Sequence, residues 1–159
     1  MIIRFNLKKF LISIAIPLLV GGFSALITMG DMGIYKEINR PPLSPPSWLF
    51  PVAWTILYFL MGVSLYLVWN KPDTYADKRK AYLLFCLQLF LNFIWSPVFF
   101  TARSFLLAFI ILVLLIITVA FMIAAFYEID KRAGLLQIPY LIWLLFAAYL
   151  NMAIYILNK

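Results

Sequence analysis

The run FLLAFIILVLLIITVAFMIAAFY, residues 105–127, decides the fold. It carries no charged side chain, and Thr118 is its one clearly polar residue apart from the terminal tyrosine. A bilayer core is about 30 Å thick, so a helix needs about 20 apolar residues to cross it. The run is long enough. Having no polar face, it directs much of its surface to lipid.

Arg103 marks a tight turn before this run, and Glu128, Asp130, Lys131 and Arg132 form a charged loop after it. Beyond these lie a third span over about 81–100 and a fifth over about 135–157. A second charged loop, with Lys71, Asp73, Asp77, Lys78, Arg79 and Lys80, leads back to a span over about 48–69. The first apolar run, about 10–28, follows Lys8 and Lys9. It exceeds the 7–15 residues of a signal-peptide core and reads as an uncleaved span. The chain is therefore expected to be an all-α integral membrane protein, a five-transmembrane-helix bundle forming one domain over 1–159.

Composition agrees. The chain is 66% hydrophobic and 12% charged, where soluble domains average about 45–50% and 25%. The net charge of +7 sits in short flanks between apolar runs, as membrane anchors do, and implies no nucleic-acid partner. With five spans, Arg4, Lys8, Lys9, Lys71, Lys78, Arg79, Lys80, Lys131 and Arg132 share one side against Lys36, Arg40, Arg103 and Lys159 on the other. That asymmetry predicts a cytoplasmic N-terminus. The segment 31–47 then faces outward. With Pro41, Pro42, Pro45 and Pro46 it reads as a stiff lid, with Ser47 capping the second helix and Pro51 in its first turn.

None of the spans holds Asp, Glu, Lys or Arg, which argues against an ion-coupled pump or channel. The chain has no histidine, no paired carboxylates and no metal cluster, so conventional acid–base or metal catalysis has no residues to use. The single cysteine, Cys86, lies within a span and forms no intrachain disulfide.

The spans instead carry stripes at four-residue spacing: Gln88, Asn92 and Ser96, with Trp95 beside them; Trp54, Tyr58 and Gly62; and Pro139, Trp143, Ala147, Asn151 and Tyr155. Trp48 and Trp69 belong to interfacial belts, whereas Trp54 and Trp143 lie deeper, where an indole N–H seeks a partner. The polar stripe reads either as interhelical glue or as ligand contact. Facing stripes would enclose a flat apolar cavity with a few hydrogen-bonding groups, the character of a small-molecule site. Pro97 and Pro139 each interrupt a span, and Gly21 with Ala25 allows close helix contact, within the bundle or between chains.

These details resemble the tryptophan-rich sensory protein and translocator protein family, relatives of the peripheral-type benzodiazepine receptor. The resemblance rests on Tyr35, Arg40-Pro41 and Pro45-Pro46, on Pro51-Val52-Ala53-Trp54 with Leu57-Tyr58 and Met61-Gly62, and on Tyr66-Leu67-Val68-Trp69. It continues through Leu91-Asn92-Phe93-Ile94-Trp95, Pro97, Phe99-Phe100, Pro139-Tyr140, Trp143, Ala147 and Leu150-Asn151. It implies a five-helix bundle, usually a homodimer, that binds porphyrins and benzodiazepine-like or isoquinoline ligands beneath the first loop. The implied pocket residues are Tyr35, Trp54, Tyr58, Asn92, Trp95, Trp143, Phe146, Ala147 and Leu150. Two departures stand out. Leu43 occupies a place where many relatives carry tryptophan, and Met152 and Ile156 replace the tyrosine and arginine of animal members. Leu150, Tyr155 and Lys159 still satisfy a loose sterol pattern, although the second departure argues against sterol.

The resemblance thus implies a membrane receptor or sensor for tetrapyrroles, with no required cofactor and porphyrin as ligand or substrate. Lacking histidine, the pocket suits a metal-free porphyrin. The alternatives are light- and oxygen-dependent porphyrin degradation, with Trp54 and Trp143 as electron partners, and a porphyrin or lipid transporter. No long amphipathic transit segment precedes the first span, so a bacterial plasma membrane is the expected location.

Overall fold

In a computed structural model of the chain, which describes residues 5–72 and 78–159, the first helix begins one turn earlier than hydropathy alone suggests. Asn6 starts it by accepting the Lys9 N–H at 3.0 Å, which satisfies one of the free N–H groups of the first turn. Arg4, Asp73 and Asp77, part of the charge reading, lie outside the described residues. The helices are α1 (Leu7–Thr28), α2 (Ile34–Glu37), α3 (Leu49–Asn70), α4 (Lys78–Phe100), α5 (Phe105–Ile129), α6 (Lys131–Leu135) and α7 (Ile138–Leu157). Among the described residues five helical stretches are long and apolar enough to cross a membrane, the fifth combining α6 and α7. The protein is an all-α five-helix bundle.

Two sequence expectations are corrected. Ser47 does not cap α3, whose N-cap position is Trp48 with no side-chain cap bond. Pro139 lies in the first turn of α7 rather than interrupting a span, where its missing N–H costs no hydrogen bond. The interruption falls just before it. Gly134 presses against Tyr127 and the Ile123 carbonyl, so close that a Cβ would lie 2.7 Å from Tyr127 Cβ. The chain turns through Leu136 and Gln137 before restarting as α7.

α1 packs on α3 and α4, while α5 packs on α4 and α7. Gly62 brings α1 and α3 together, since a Cβ there would lie 2.6 Å from Ile14 Cα. α1 and α3 thus meet backbone to backbone inside the bundle, and of the Gly21–Ala25 pair Gly21 takes part while Ala25 lines the space beneath the lid. Gly21 lies under the Tyr58 ring, with no room for a Cβ. α5 buries Ile111, Leu112, Leu115, Val119, Met122 and Phe126 and turns Leu107, Ile110, Leu114, Ile117 and Phe121 outward. That division separates bundle from lipid on a helix without a polar face.

α3 and α7 meet through large rings. Trp54 lies 6.2 Å from Tyr140 and 6.4 Å from Trp143, both edge-on. The lid is partly helical, because Ile34 and Tyr35 dock inward and are buried. It is tied down along its length: Thr101 donates to Asp31 at 2.6 Å, Arg103 pairs with Glu37 at 3.6 Å, and Tyr149 donates to the Pro42 carbonyl at 3.0 Å. Asn39 and Asn158 exchange two bonds of 3.0 Å.

Candidate ligand site

Beneath this lid lies a cavity of about 250 Å³. α1 supplies Gly21, Ser24, Ala25 and Thr28. The lid supplies Met32, Tyr35 and Ser47; α3 supplies Phe50, Pro51, Trp54 and Tyr58; α4 supplies Asn92, Trp95, Ser96 and Phe100. Five of the nine residues singled out from sequence, Tyr35, Trp54, Tyr58, Asn92 and Trp95, therefore line one space. Ala147 and Leu150 line a second, smaller hollow of about 30 Å³, together with Tyr35, Phe50, Trp95, Phe99, Asn151 and Ile154. Trp143 and Phe146 border neither. Their rings lie 5.8 Å apart, with Trp143 behind Trp54 and Phe50.

The helical repeat explains this assembly. Phe50, Trp54 and Tyr58 recur every fourth residue along α3, and Asn92, Ser96 and Phe100 along α4, so each set runs down one face. Phe50 and Phe100 extend the sequence stripes by one turn; following the same spacing outward from Trp54 and Ser96 would have found them. Ser24 belongs to a small and polar face of α1, with Ser13, Gly21 and Thr28, that the helical spacing could have shown, whereas Met32 lies in the lid, outside any helical stripe.

The polar floor is a directional hydrogen-bond chain. Tyr58 donates to Asn92 Oδ1 at 2.7 Å, Asn92 Nδ2 donates to Tyr140 Oη at 2.9 Å, and Tyr140 donates to Gln88 Oε1 at 2.9 Å. Gln88 Nε2 reaches Met61 Sδ at 3.9 Å. Gln88 is wholly buried and serves the bundle; Asn92 serves the bundle and also faces the cavity. Its Oδ1 accepts one bond and its Nδ2 gives one, so it keeps a second lone pair and a second N–H for a ligand. Trp95 donates from Nε1 to Asn151 Oδ1 at 3.1 Å and stacks on Phe99 at 5.2 Å. Asn151 Nδ2 passes the interaction on to the Phe105 carbonyl at 2.8 Å.

Two polar atoms beside this site are buried without a partner, Tyr35 Oη and Trp143 Nε1. Among the described residues the Trp143 indole thus finds no hydrogen-bond partner. Burial pushes the Tyr35 phenol above the ordinary tyrosine value, against the opposing pull of Ser44 and of Arg40. Ser44 is near, with its hydroxyl donating to the Pro41 carbonyl at 2.7 Å and its lone pairs open, yet Tyr35 Oη makes no hydrogen bond among the described residues. The Arg40 guanidinium sits 5.3 Å from the Tyr35 ring centroid.

Lys159 Nζ lies 5.2 Å from the Tyr155 ring, whereas Leu150 is buried against the inner hollow. Leu43 adopts a left-handed φ of 67° and is 80% exposed, away from the cavity.

The fold and the site together define a polytopic helical membrane protein with an aromatic hollow under a proline-rich loop. The chain belongs to the TspO/MBR family, whose model matches residues 13–157. It is 40% identical over 154 residues to the tryptophan-rich protein TspO of Archaeoglobus fulgidus, covering 96% of this chain and 99% of that one. It is 41% identical over 124 residues to the tryptophan-rich protein TspO of Chlorobaculum tepidum, covering 78% of each. The human translocator protein is 35% identical over 122 residues, covering 76% of this chain and 72% of its own.

Proposed function

We propose that this membrane protein is a receptor or sensor for tetrapyrroles and other flat hydrophobic ligands of the benzodiazepine or isoquinoline kind, bound in the cavity beneath the lid. The observation that carries this reading is the cavity wall: Tyr35, Phe50, Trp54, Tyr58, Trp95 and Phe100 surround a few hydrogen-bonding groups. Rings of this kind favour a flat aromatic guest through stacking and edge contacts. Arg40, beside Tyr35, supplies a cation for a carboxylate at the rim. The reading needs no resident cofactor, the porphyrin being ligand or substrate.

Titrating the detergent-purified protein with protoporphyrin, and following tryptophan fluorescence, tests it. Saturable quenching that weakens in Trp54→Phe and Trp143→Phe supports the site. Linear quenching without saturation, the same in all three proteins, refutes it.

A second reading, porphyrin breakdown under light and oxygen, is favoured by the contact among Trp54, Tyr58 and Trp143, whose rings lie 5.6 and 6.4 Å from Trp54. Such a cluster offers electron donors to an excited porphyrin. Loss of porphyrin absorbance under light should then slow in Trp143→Phe, and equal rates would exclude it.

We further propose a homodimer in a bacterial plasma membrane with a cytoplasmic N-terminus. The orientation is supported by the crowding of basic residues at one end of the bundle, where Lys9 sits 5.5 Å from the Trp69 ring and Lys71 pairs with Asp130 at 3.0 Å. Reaction of single-cysteine variants at 43 and 131 with an impermeant thiol reagent in intact cells tests it. Labelling at 131 and not at 43 would reverse the assignment.

A further inference from the structure

The cavity holds about 250 Å³, below the roughly 300–1,000 Å³ of most ligand pockets. The residues expected around a bound ligand are also split, with Ala147 and Leu150 on the smaller hollow. Both hollows are walled by the same three side chains, Tyr35, Phe50 and Trp95. Two of these are fixed. Trp95 is anchored by its bond to Asn151 and its stack on Phe99, and Tyr35 belongs to α2, which the lid tethers hold against the bundle.

Phe50 has no polar anchor. It sits in the first turn of α3, and its partly buried ring is held by apolar packing against the Tyr35, Phe99 and Ile154 cluster and by edge contacts 5.3 Å from Tyr35 and 6.0 Å from Trp143. Those two neighbours are the ones whose polar atoms, Tyr35 Oη and Trp143 Nε1, are buried without a partner. Buried groups of that kind are costly unless something satisfies them.

We infer that Phe50 is the residue that sets the size of ligand the pocket accepts. A change of its χ1 rotamer withdraws the ring from the slot between Tyr35 and Trp143, joins the two hollows, and opens a way for a ligand to reach the two unpartnered groups. The inference rests on the reading of this cavity as a ligand site, and it narrows the ligand class. Trp143 Nε1 is donor-only, so the guest must bring an acceptor to that edge. Arg40, beside the Tyr35 ring, favours a carboxylate at that end, so the joined pocket takes a flat polycyclic carboxylic acid with a further acceptor towards Trp143. A two-ring acid fits the larger hollow without moving Phe50, whereas a tetrapyrrole does not.

Stopped-flow quenching of tryptophan fluorescence distinguishes these cases, using protoporphyrin and isoquinoline-3-carboxylate as probes on wild type, Phe50→Leu, Phe50→Ala and Phe50→Trp. Protoporphyrin association should accelerate at least tenfold in Phe50→Ala, less in Phe50→Leu, and slow in Phe50→Trp. The two-ring acid touches Phe50 as a wall of the larger hollow, so its rate should change as well, but by less than protoporphyrin's and without the order Ala, Leu, wild type, Trp. Phe50→Leu preserves a branched apolar side chain at the site, so the trend can be read even if the alanine variant folds poorly. Saturable, equally fast protoporphyrin binding in all four proteins overturns the gate and leaves the ligand site standing. No saturable protoporphyrin binding in any of them overturns both.

Discussion

Replacing Gly62 by alanine tests the packing on which the cavity depends. A Cβ at this position would lie 2.6 Å from Ile14 Cα and 2.8 Å from the Ser13 carbonyl oxygen, both backbone atoms of α1. A rotamer change cannot move them. Ordinary contact begins near 3.4 Å, so α1 must retreat from α3 by about 0.8 Å along that line. Forced repacking of a tight interior costs about 1–3 kcal/mol, and a backbone clash belongs at the upper end. For a chain of this size each kcal/mol lowers Tm by roughly 2–4 °C. Gly22 provides the control, since a Cβ there meets nothing within 4 Å. Alanine at Gly22 should be neutral or stabilising by up to about 1 kcal/mol through helix propensity. Thermal denaturation of the three proteins in one detergent, followed by tryptophan fluorescence, reads the difference. Equal Tm values for Gly62→Ala and Gly22→Ala would refute the close α1–α3 contact.

Gly21→Ala should push the Tyr58 ring off its seat, where a Cβ would lie 2.1 Å from Cε2, and weaken porphyrin binding several-fold in the quenching assay; unchanged affinity would show that Tyr58 is not a wall of the site. Tyr140→Phe strips the partner from Gln88 Oε1 and from Asn92 Nδ2, and leaving such groups unsatisfied costs about 1–3 kcal/mol, read as a lower Tm with helicity by circular dichroism retained. Asn158→Ala removes both bonds to Asn39; hydrogen exchange over residues 38–46 should quicken while α4 and α5 stay protected. Lys71→Ala breaks a partly exposed ion pair with Asp130 and should change stability by less than about 1 kcal/mol, so a large loss would mean that this end of the bundle depends on it.

Helix number and the α3 and α4 stripes were legible because they depend on local quantities, apolar length and four-residue spacing. Trp54, Tyr58 and Asn92 fall on those stripes and Trp95 beside one of them; the family resemblance implies one pocket for all four, and they line one cavity. Tyr140, which joins Asn92 to Gln88, was not legible as a partner, because it lies off the stripe of Pro139, Trp143 and Ala147 and its role depends on where α7 restarts. That restart depends in turn on Gly134 fitting against Tyr127, a contact between helices. The cap at Asn6 was readable in principle from an asparagine three residues before Lys9. Ser47 carried an equally good capping signal, but Trp48 takes the N-cap position.

The α3–α7 seam links stability to binding. At Gly62 α1 and α3 close backbone to backbone, and α4 meets α5 through aliphatic layers with Phe85 stacked on Phe126. Between α3 and α7 the rings of Trp54, Tyr140 and Trp143 bridge the gap instead, and Trp54 is at once a cavity wall and part of that bridge. A large ring on one side of a seam can turn while its partners hold the helices apart, whereas a glycine contact between backbones has no such freedom. A space able to enlarge for a guest is therefore best built at the aromatic seam, and the unpartnered Trp143 Nε1 lies there. It follows that Trp54→Ala should lower Tm as well as affinity. Trp54→Phe retains a ring in the seam, so it should lose affinity with a much smaller change in Tm; if both variants lost stability and binding in the same proportion, the wall and the bridge could not be separate roles of the same side chain.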